Sequence, residues 1–218
     1  NKAAREMRER VAELVRGDAA TRLTVGTFHS FCCRLLRQHI TRLGYSPRFT
    51  IASDSYQAGL VRNVMAELGF AGEGCDPGAW LGHISRAKSS LQTPPDMAAQ
   101  DWPRAADVAV VSEHYQQRLK DMDLLDFDDL LMLTHRLWQE HPEVLEQHRQ
   151  RYAYLLIDEY QDTNLLQFQL MSTLARPRCN LCVVGDDDQS IYGWRGADVR
   201  NILEFERHFP GAAVIRLE

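Results

Sequence analysis

Apolar residues along this chain follow two rhythms, and the change from one to the other divides it. Through the first half they recur every three or four positions, the spacing that gathers them on one face of a helix. Asn1–Val15 reads as a helix already under way, with Met7, Val11 and Leu14 on one face and Gly17 placed to end it. So abrupt an opening suggests a piece of something longer. Leu23–Gly26 reads as a short strand. Thr27 then caps a helix whose apolar face is Phe28, Phe31, Cys32, Leu35 and Leu36. From Ser46 to about Leu125 the pattern is helical without a strand signal. Tyr56, Leu60, Val64 and Leu68 share a face closed by Gly69. Trp80–Leu91 follows a loop with Gly72, Gly74, Pro77 and Gly78. Pro94-Pro95 breaks the pattern, and Val108–Leu119 resumes it.

Beyond Leu125 the texture changes. Asp126 and Asp129 bracket a helix start, with Leu130, Leu133, Leu137 and Trp138 behind it. Tyr154–Asp158 and Leu181–Val184 are unbroken apolar runs that end in acids. Between them Leu166, Leu170 and Leu174 mark a helix stopped by Pro177. Ile202–Phe209 is helical, and Ala213–Ile215 is a third apolar run. Apolar strands alternating with helices predict an α/β fold with a parallel sheet covered on both faces. Loops at the carboxyl ends of such strands are where ligands are met.

Composition narrows the class only a little. The 218 residues are 44% hydrophobic and 25% charged, enough for one large domain or two small ones. No apolar stretch is long enough to span a bilayer, and no signal-peptide pattern is present, so no membrane partner is expected. Five cysteines, an odd number, suggest reduced thiols and a cytoplasmic setting. Cys179 and Cys182 form a C-x-x-C, but no second pair follows at metal-site spacing. The simpler expectation puts Cys182 inward from a strand and Cys179 in the preceding turn. Net charge is −5, yet the N-terminal stretch is basic and the acids are clustered, so nucleic acid stays open as a partner.

Two strand ends carry the chemistry. Leu155-Leu-Ile-Asp158-Glu159 has the Walker B form: one carboxylate to hold a hydrated Mg²⁺ on nucleotide phosphates, its neighbour to deprotonate the attacking water. A strand ending in a solvated acid turn would match the same pattern. The next run ends in Gly185-Asp-Asp-Asp-Gln-Ser-Ile-Tyr-Gly-Trp-Arg-Gly196. Gln189 suits a terminal phosphate or lytic water, because its amide donates and accepts without titrating. Tyr192 and Trp194 lie on a glycine-flexed loop where they can stack on unpaired bases. A core role for both aromatics is the alternative. A metal-dependent nuclease on Asp158 and Asp186–Asp188 is another, though it leaves the glutamine and the aromatics without work.

Five segments, in order, cover the chain: Asn1-Lys-Ala-Ala-Arg-Glu-Met7, Gly26-Thr-Phe-His-Ser30, Leu125-Asp-Phe-Asp-Asp-Leu130, Ile157-Asp-Glu-Tyr-Gln-Asp-Thr-Asn164 and Gly185–Gly196. In these the sequence resembles the UvrD/Rep/PcrA group of superfamily 1 DNA helicases. The resemblance implies a partial RecA-like parallel sheet flanked by helices, residues 1–45 and 126–218, with an all-helical accessory subdomain inserted at 46–125. It implies ATP and Mg²⁺ as cofactors, 3′-to-5′ movement on single-stranded DNA, and duplex unwinding at a single-strand/duplex junction. Repair or replication proteins would be further partners. Asp158 would bind Mg²⁺, Glu159 would be the catalytic base and Gln189 would sense the γ-phosphate. Arg195 would link the nucleotide and DNA sides. Asn1, Thr27, Phe28, His29, Phe127, Tyr192 and Trp194 would contact the single strand.

One element of that family is missing from the sequence. No glycine is followed by lysine, so the G-x-x-x-x-G-K-[ST] phosphate loop does not occur in these residues. The expectation is therefore a middle fragment carrying half of a nucleotide site. A non-catalytic DNA- or protein-binding module is the competing expectation for the chain taken alone.

Overall fold

The computed structural model describes residues 2–15, 23–191, 193 and 196–216. Helix α1 spans Lys2–Leu14 and α2 spans Phe28–His39, continued by a 3-10 turn over Ile40–Leu43. Strand β1 is Thr50–Ile51. Helices α3 (Asp54–Glu67), α4 (Pro77–Ser89), α5 (Pro94–Ala98) and α6 (Ala105–Asp121) follow. Strand β2 (Leu124–Leu125) leads into α7 (Phe127–Glu140) and α8 (Pro142–Arg151). Then come β3 (Leu155–Ile157), α9 (Leu165–Ala175), β4 (Leu181–Val183), α10 (Arg200–Leu203) and α11 (Phe205–His208).

The helix starts follow from side-chain capping. Thr27 Oγ1 accepts from the Ser30 amide, as its position before the apolar face predicts. At α7, Asp126 accepts from the Asp129 amide at 2.8 Å and Asp129 accepts in return from the Asp126 amide at 3.0 Å. This reciprocal box satisfies two donors that the helix cannot. Pro77 and Pro94 do not merely break the chain. Each occupies the first turn of its helix, where a missing N–H costs nothing.

Among the described residues, buried side chains form three clusters. The largest joins Leu35, Leu36 and Ile40 to Leu130, Leu133, Leu137 and Trp138 of α7 and to Leu166, Leu170 and Leu174 of α9. A second lies within residues 52–124, around Val61, Trp80, Ile84, Val108, Val111 and Tyr115. The third, smaller, is Tyr160, Phe168, Met171 and Phe209 under the β3–β4 sheet. Each fully buried leucine or valine contributes roughly 1.5–3 kcal/mol.

The helical block carries two short strands where its pattern shows no strand signal. Its two ends pair in parallel, Thr50 opposite Leu124 and Ile51 opposite Leu125. Two-residue strands leave no periodicity to read, yet here they clamp the chain's entry to the block against its exit.

The main sheet is a parallel pair, Leu155, Leu156 and Ile157 opposite Leu181, Cys182 and Val183. Alternate residues behave differently. Leu155, Ile157, Leu181 and Val183 pack on the core clusters. Tyr154, Leu156 and Val184 are exposed, Leu156 by 69%. Cys182 is exposed too, and so is Cys179 in the turn before β4. Among the described residues the expected cover on both faces is thus present on one, and Cys182 points away from the core because it shares the register of Leu156.

Two expected strands are not formed. Leu23–Gly26 is irregular, and its Val25 carbonyl accepts from Arg8 Nη2 at 2.7 Å instead of from a neighbouring strand. Ala213–Ile215 also has no strand partner among the described residues, and Ile215 is 83% exposed. A strand needs a neighbour for its backbone groups, and an apolar run alone does not supply one. On α1, Met7 and Leu14 are exposed, so its apolar stripe meets no core. Gly17 falls outside the described residues. No described helix is long and apolar enough to cross a membrane.

Candidate functional site

Parallel pairing sets the two acidic strand ends side by side. Past Ile157 and Val183 the ladder continues: the Val184 amide donates to the Ile157 carbonyl at 2.8 Å, and the Tyr160 amide donates to the Val184 carbonyl at 2.9 Å. Asp158-Glu159 and the Gly185–Gln189 loop therefore leave the sheet together, as the chain order of the two runs predicts.

Asp158 and Glu159 are both exposed. Asp158 Oδ1 accepts from the Glu159 amide at 3.1 Å. A lone solvent-facing carboxylate is a fitting partner for Mg²⁺, which keeps several waters and takes one or two protein oxygens beside nucleotide phosphates. The described residues include no group of three or more His, Cys, Asp or Glu arranged to hold a metal.

Glu159 adopts a left-handed backbone, φ 52° and ψ 43°, uncommon for a residue with a Cβ. It stands just before a 3-10 turn over Tyr160–Asp162. Its side chain is held: Gln161 Nε2 donates to Glu159 Oε2 at 2.8 Å. Next to it Asp162 is pushed up from the ordinary carboxylate range, first by burial and then by the charge of Glu159.

Gln161 itself is 1% exposed. Its Oε1 accepts from the Asp186 amide at 3.1 Å, and its backbone carbonyl accepts from Ser190 Oγ at 3.4 Å. Gly185 makes room for this contact. A Cβ there would stand 2.5 Å from Gln161 Oε1 and 3.1 Å from the Tyr160 nitrogen. The far end of the loop is fastened to the same turn. Asn164 bridges Ala197 in antiparallel fashion, and the Asp198 amide donates to the Thr163 carbonyl at 3.0 Å. Buried Asn201 donates through Nδ2 to that carbonyl at 2.9 Å and to Thr163 Oγ1 at 3.2 Å.

Gln189 sits in a short 3-10 turn, Asp187–Gln189, started by Asp186. Its amide donates to Asp186 Oδ2 at 2.6 Å, so the side chain folds onto its own loop. Asn1, Tyr192, Trp194 and Arg195 fall outside the described residues. Gln161, Thr163 and Asn201 are further residues that hold the site together, and the signal that marks them is burial, which the Ile157–Asn164 segment does not reveal by itself.

A second constellation gathers residues from distant segments. His29, in the first turn of α2, lies against Phe127, the first residue of α7, with ring centroids 4.3 Å apart and planes 32° from parallel. Phe127 is 50% exposed. Burial lowers the His29 imidazole to about 4, so the ring is neutral at pH 7. Thr27 is exposed beside them, while Phe28 is half-buried and packs on two of the core clusters.

The family described as UvrD/REP helicase N-terminal domain matches residues 1–210. The ATP-dependent DNA helicase PcrA of Staphylococcus aureus is 46% identical over 220 residues, covering 100% of this chain and 30% of that protein. PcrA of Leuconostoc citreum is also 46% identical, with 29% of its length covered, and PcrA of Staphylococcus epidermidis is 44% identical. The chain thus spans about a third or less of the curated relatives it matches. By the match over nearly its whole length, the chain belongs to the UvrD/REP helicase family, in the N-terminal domain of that family.

Proposed function

We propose that this chain is part of an ATP-dependent 3′-to-5′ DNA helicase, in which hydrolysis at the ends of β3 and β4 drives movement on single-stranded DNA. The observation that supports this most is the ladder from Ile157 through Val184 to Tyr160, which joins the acid pair and the glutamine loop at one edge. Residues 1–45 and 126–218 form the RecA-like ATPase part, and 46–125 form the inserted helical accessory subdomain. The phosphate-binding loop is supplied from outside these residues, since no Gly-Lys pair occurs in them. The setting is the bacterial cytoplasm.

In this reading Asp158 would hold Mg²⁺ beside the ATP phosphates, and the metal would supply neutralisation of charge on the phosphoryl group. Glu159 takes a proton from the attacking water, its carboxylate held by the Gln161 amide. Gln189 leaves Asp186 to meet the γ-phosphate or that water. Tyr192 and Trp194 stack on bases, and Arg195 joins the two sides. His29 and Phe127 add a neutral aromatic surface for an unpaired base. Thr27, Phe28 and Asn1 flank the same path. Repair or replication proteins are the partners this activity calls for.

Glu159→Gln in the intact parent tests the assignment. Turnover should all but vanish, leaving only a small residual rate, while ATP still binds; hydrolysis at the parental rate removes Glu159 from the base role. A second reading applies to the chain taken alone: a non-catalytic DNA- or protein-binding module. The absence of a Gly-Lys pair favours it. ATPase assays on the isolated chain and on the full-length protein separate the two.

A further inference from the structure

Gln161 is the only residue described above that bonds both to the Glu159 side chain and to the loop after β4. Its amide is used at both ends. The nitrogen donates to Glu159 Oε2 at 2.8 Å and the oxygen accepts from the Asp186 amide at 3.1 Å. The orientation of the amide is fixed by these partners, since a carboxylate can only accept and a backbone N–H can only donate. At 1% exposure, Gln161 has little water to substitute for either bond. The approach is tight as well. Gly185 lets the backbone come so near that one added carbon would lie 2.5 Å from the same oxygen. Ser190 Oγ adds a bond from the far side of the glutamine turn to the Gln161 carbonyl.

We infer that Gln161 is a positioning residue that couples the Gly185–Gln189 loop to Glu159, so that a shift of the loop re-aims the carboxylate. The inference rests on Glu159 being the base. Asp186, whose amide is bound by Gln161, is also the residue on whose carboxylate Gln189 rests, at 2.6 Å. A displacement of Asp186 therefore reaches two groups at once: Gln189 directly, and Glu159 through the amide of Gln161. Glutamine is the side chain this needs. Glutamate of the same length could accept from Asp186 but would repel Glu159, and methionine could fill the space but make neither bond.

The test uses the intact parent helicase and three variants: Gln161→Glu, Glu159→Gln and the double substitution. ATP turnover is measured with and without single-stranded oligonucleotide, and thermal unfolding is followed in parallel. Gln161→Glu should lower kcat by about 10²-fold, the scale of a misplaced catalytic group, with KM for ATP unchanged within about twofold. Stimulation by the oligonucleotide should fall with it. Added to Glu159→Gln, the same substitution should change the residual rate by less than about twofold, because residues acting as a unit are not additive. Parental kcat in Gln161→Glu, or an equal fold-loss in both backgrounds, overturns the inference while leaving the base assignment in place. Full activity of Glu159→Gln overturns the base assignment and the inference with it. Should Gln161→Glu unfold at a markedly lower temperature, Gln161→Met decides: it fills the space without either bond, so parental basal and stimulated rates mean a packing role only and overturn the inference, whereas a lowered kcat with lost stimulation upholds it.

Discussion

Lys88 places its ammonium 2.8 Å from the Asp129 carboxylate, with the lysine side chain 7% exposed and the aspartate fully buried. The same ammonium bonds Asp126 Oδ2 at 2.5 Å, and Tyr115 donates to that oxygen at 3.1 Å. Lys88 belongs to α4 and Tyr115 to α6, whereas the two aspartates are the capping box of α7. One charged knot therefore ties the helical block to the start of the helix that opens the remaining chain.

Removing the cation should be severe. Lys88→Met leaves two buried carboxylates facing each other, and breaking a buried ion pair at one partner costs about 3–5 kcal/mol. Adding Asp126→Asn and Asp129→Asn to Lys88→Met should recover most of that loss, because no uncompensated charge remains. Urea unfolding of the single and triple variants checks this. A single variant as stable as the parent would mean that the knot carries little of the fold.

The same knot predicts a pH dependence. Burial alone would lower the Lys88 ammonium, but Asp129 and Asp126 outweigh it and hold Lys88 above its ordinary range. One ammonium cannot neutralise two carboxylates, and burial pushes Asp129 up to about 6 against the pull of Lys88. An unfolded aspartate releases its proton near pH 4. Between about pH 4 and about 6 the unfolded chain is thus the less protonated, and stability falls as pH rises through that window. Asp129→Asn cannot titrate, so its stability relative to the parent should improve from pH 4 to 6 and then level off. Denaturant midpoints across that range test the sign; a constant difference would refute it.

Much of this was legible from residues and some of it was not, for physical reasons. The cap at Thr27 and the box at Asp126 and Asp129 are local, and three or four residues suffice to write them. Leu155–Ile157 and Leu181–Val183 could be read as strands and as neighbours. Leu23–Gly26 and Ala213–Ile215 have the same texture, yet pairing depends on a neighbouring backbone that no local pattern reveals. Lys88 reads as a solvated charge on a helix, because its partners lie far along the chain. Gln161 lies within a readable motif, but nothing in a glutamine's sequence neighbours tells which atoms its amide will meet.

His29 and Phe127 give a prediction with two readouts. With burial holding the imidazole near 4, its NMR titration midpoint should lie close to 4 and not near 6.5. The contribution of the neutral ring to stability is present above about pH 6.5 and is lost as pH falls toward 4. If the pair stacks on an unpaired base, Phe127→Ala should weaken single-strand binding by about 1–3 kcal/mol, with little dependence on pH between 5.5 and 8. Affinity unchanged by Phe127→Ala would take the pair out of the DNA path.

Two glycines should answer the same substitution in opposite ways. Gly82 lies inside α4 with nothing within 4 Å of an added Cβ, so Gly82→Ala removes only backbone freedom from the unfolded chain. It should stabilise by about 0.5–1 kcal/mol. At Gly185 the new carbon meets Gln161 Oε1 at 2.5 Å, Ile202 Cδ1 at 2.9 Å and the Tyr160 nitrogen at 3.1 Å. Two of these neighbours cannot retreat freely: the nitrogen is held by the Val184 carbonyl, and the amide oxygen by the Asp186 N–H. Gly185→Ala should therefore cost about 1–3 kcal/mol, the usual scale of overpacking. In the intact parent it should also depress ATP turnover, since relief of the clash requires the loop to draw away from the turn that carries Glu159. Calorimetry on both variants, with ATPase rates beside it, decides the matter: equal effects at the two glycines would mean that the contact between Gly185 and Gln161 is not as close as the structure has it.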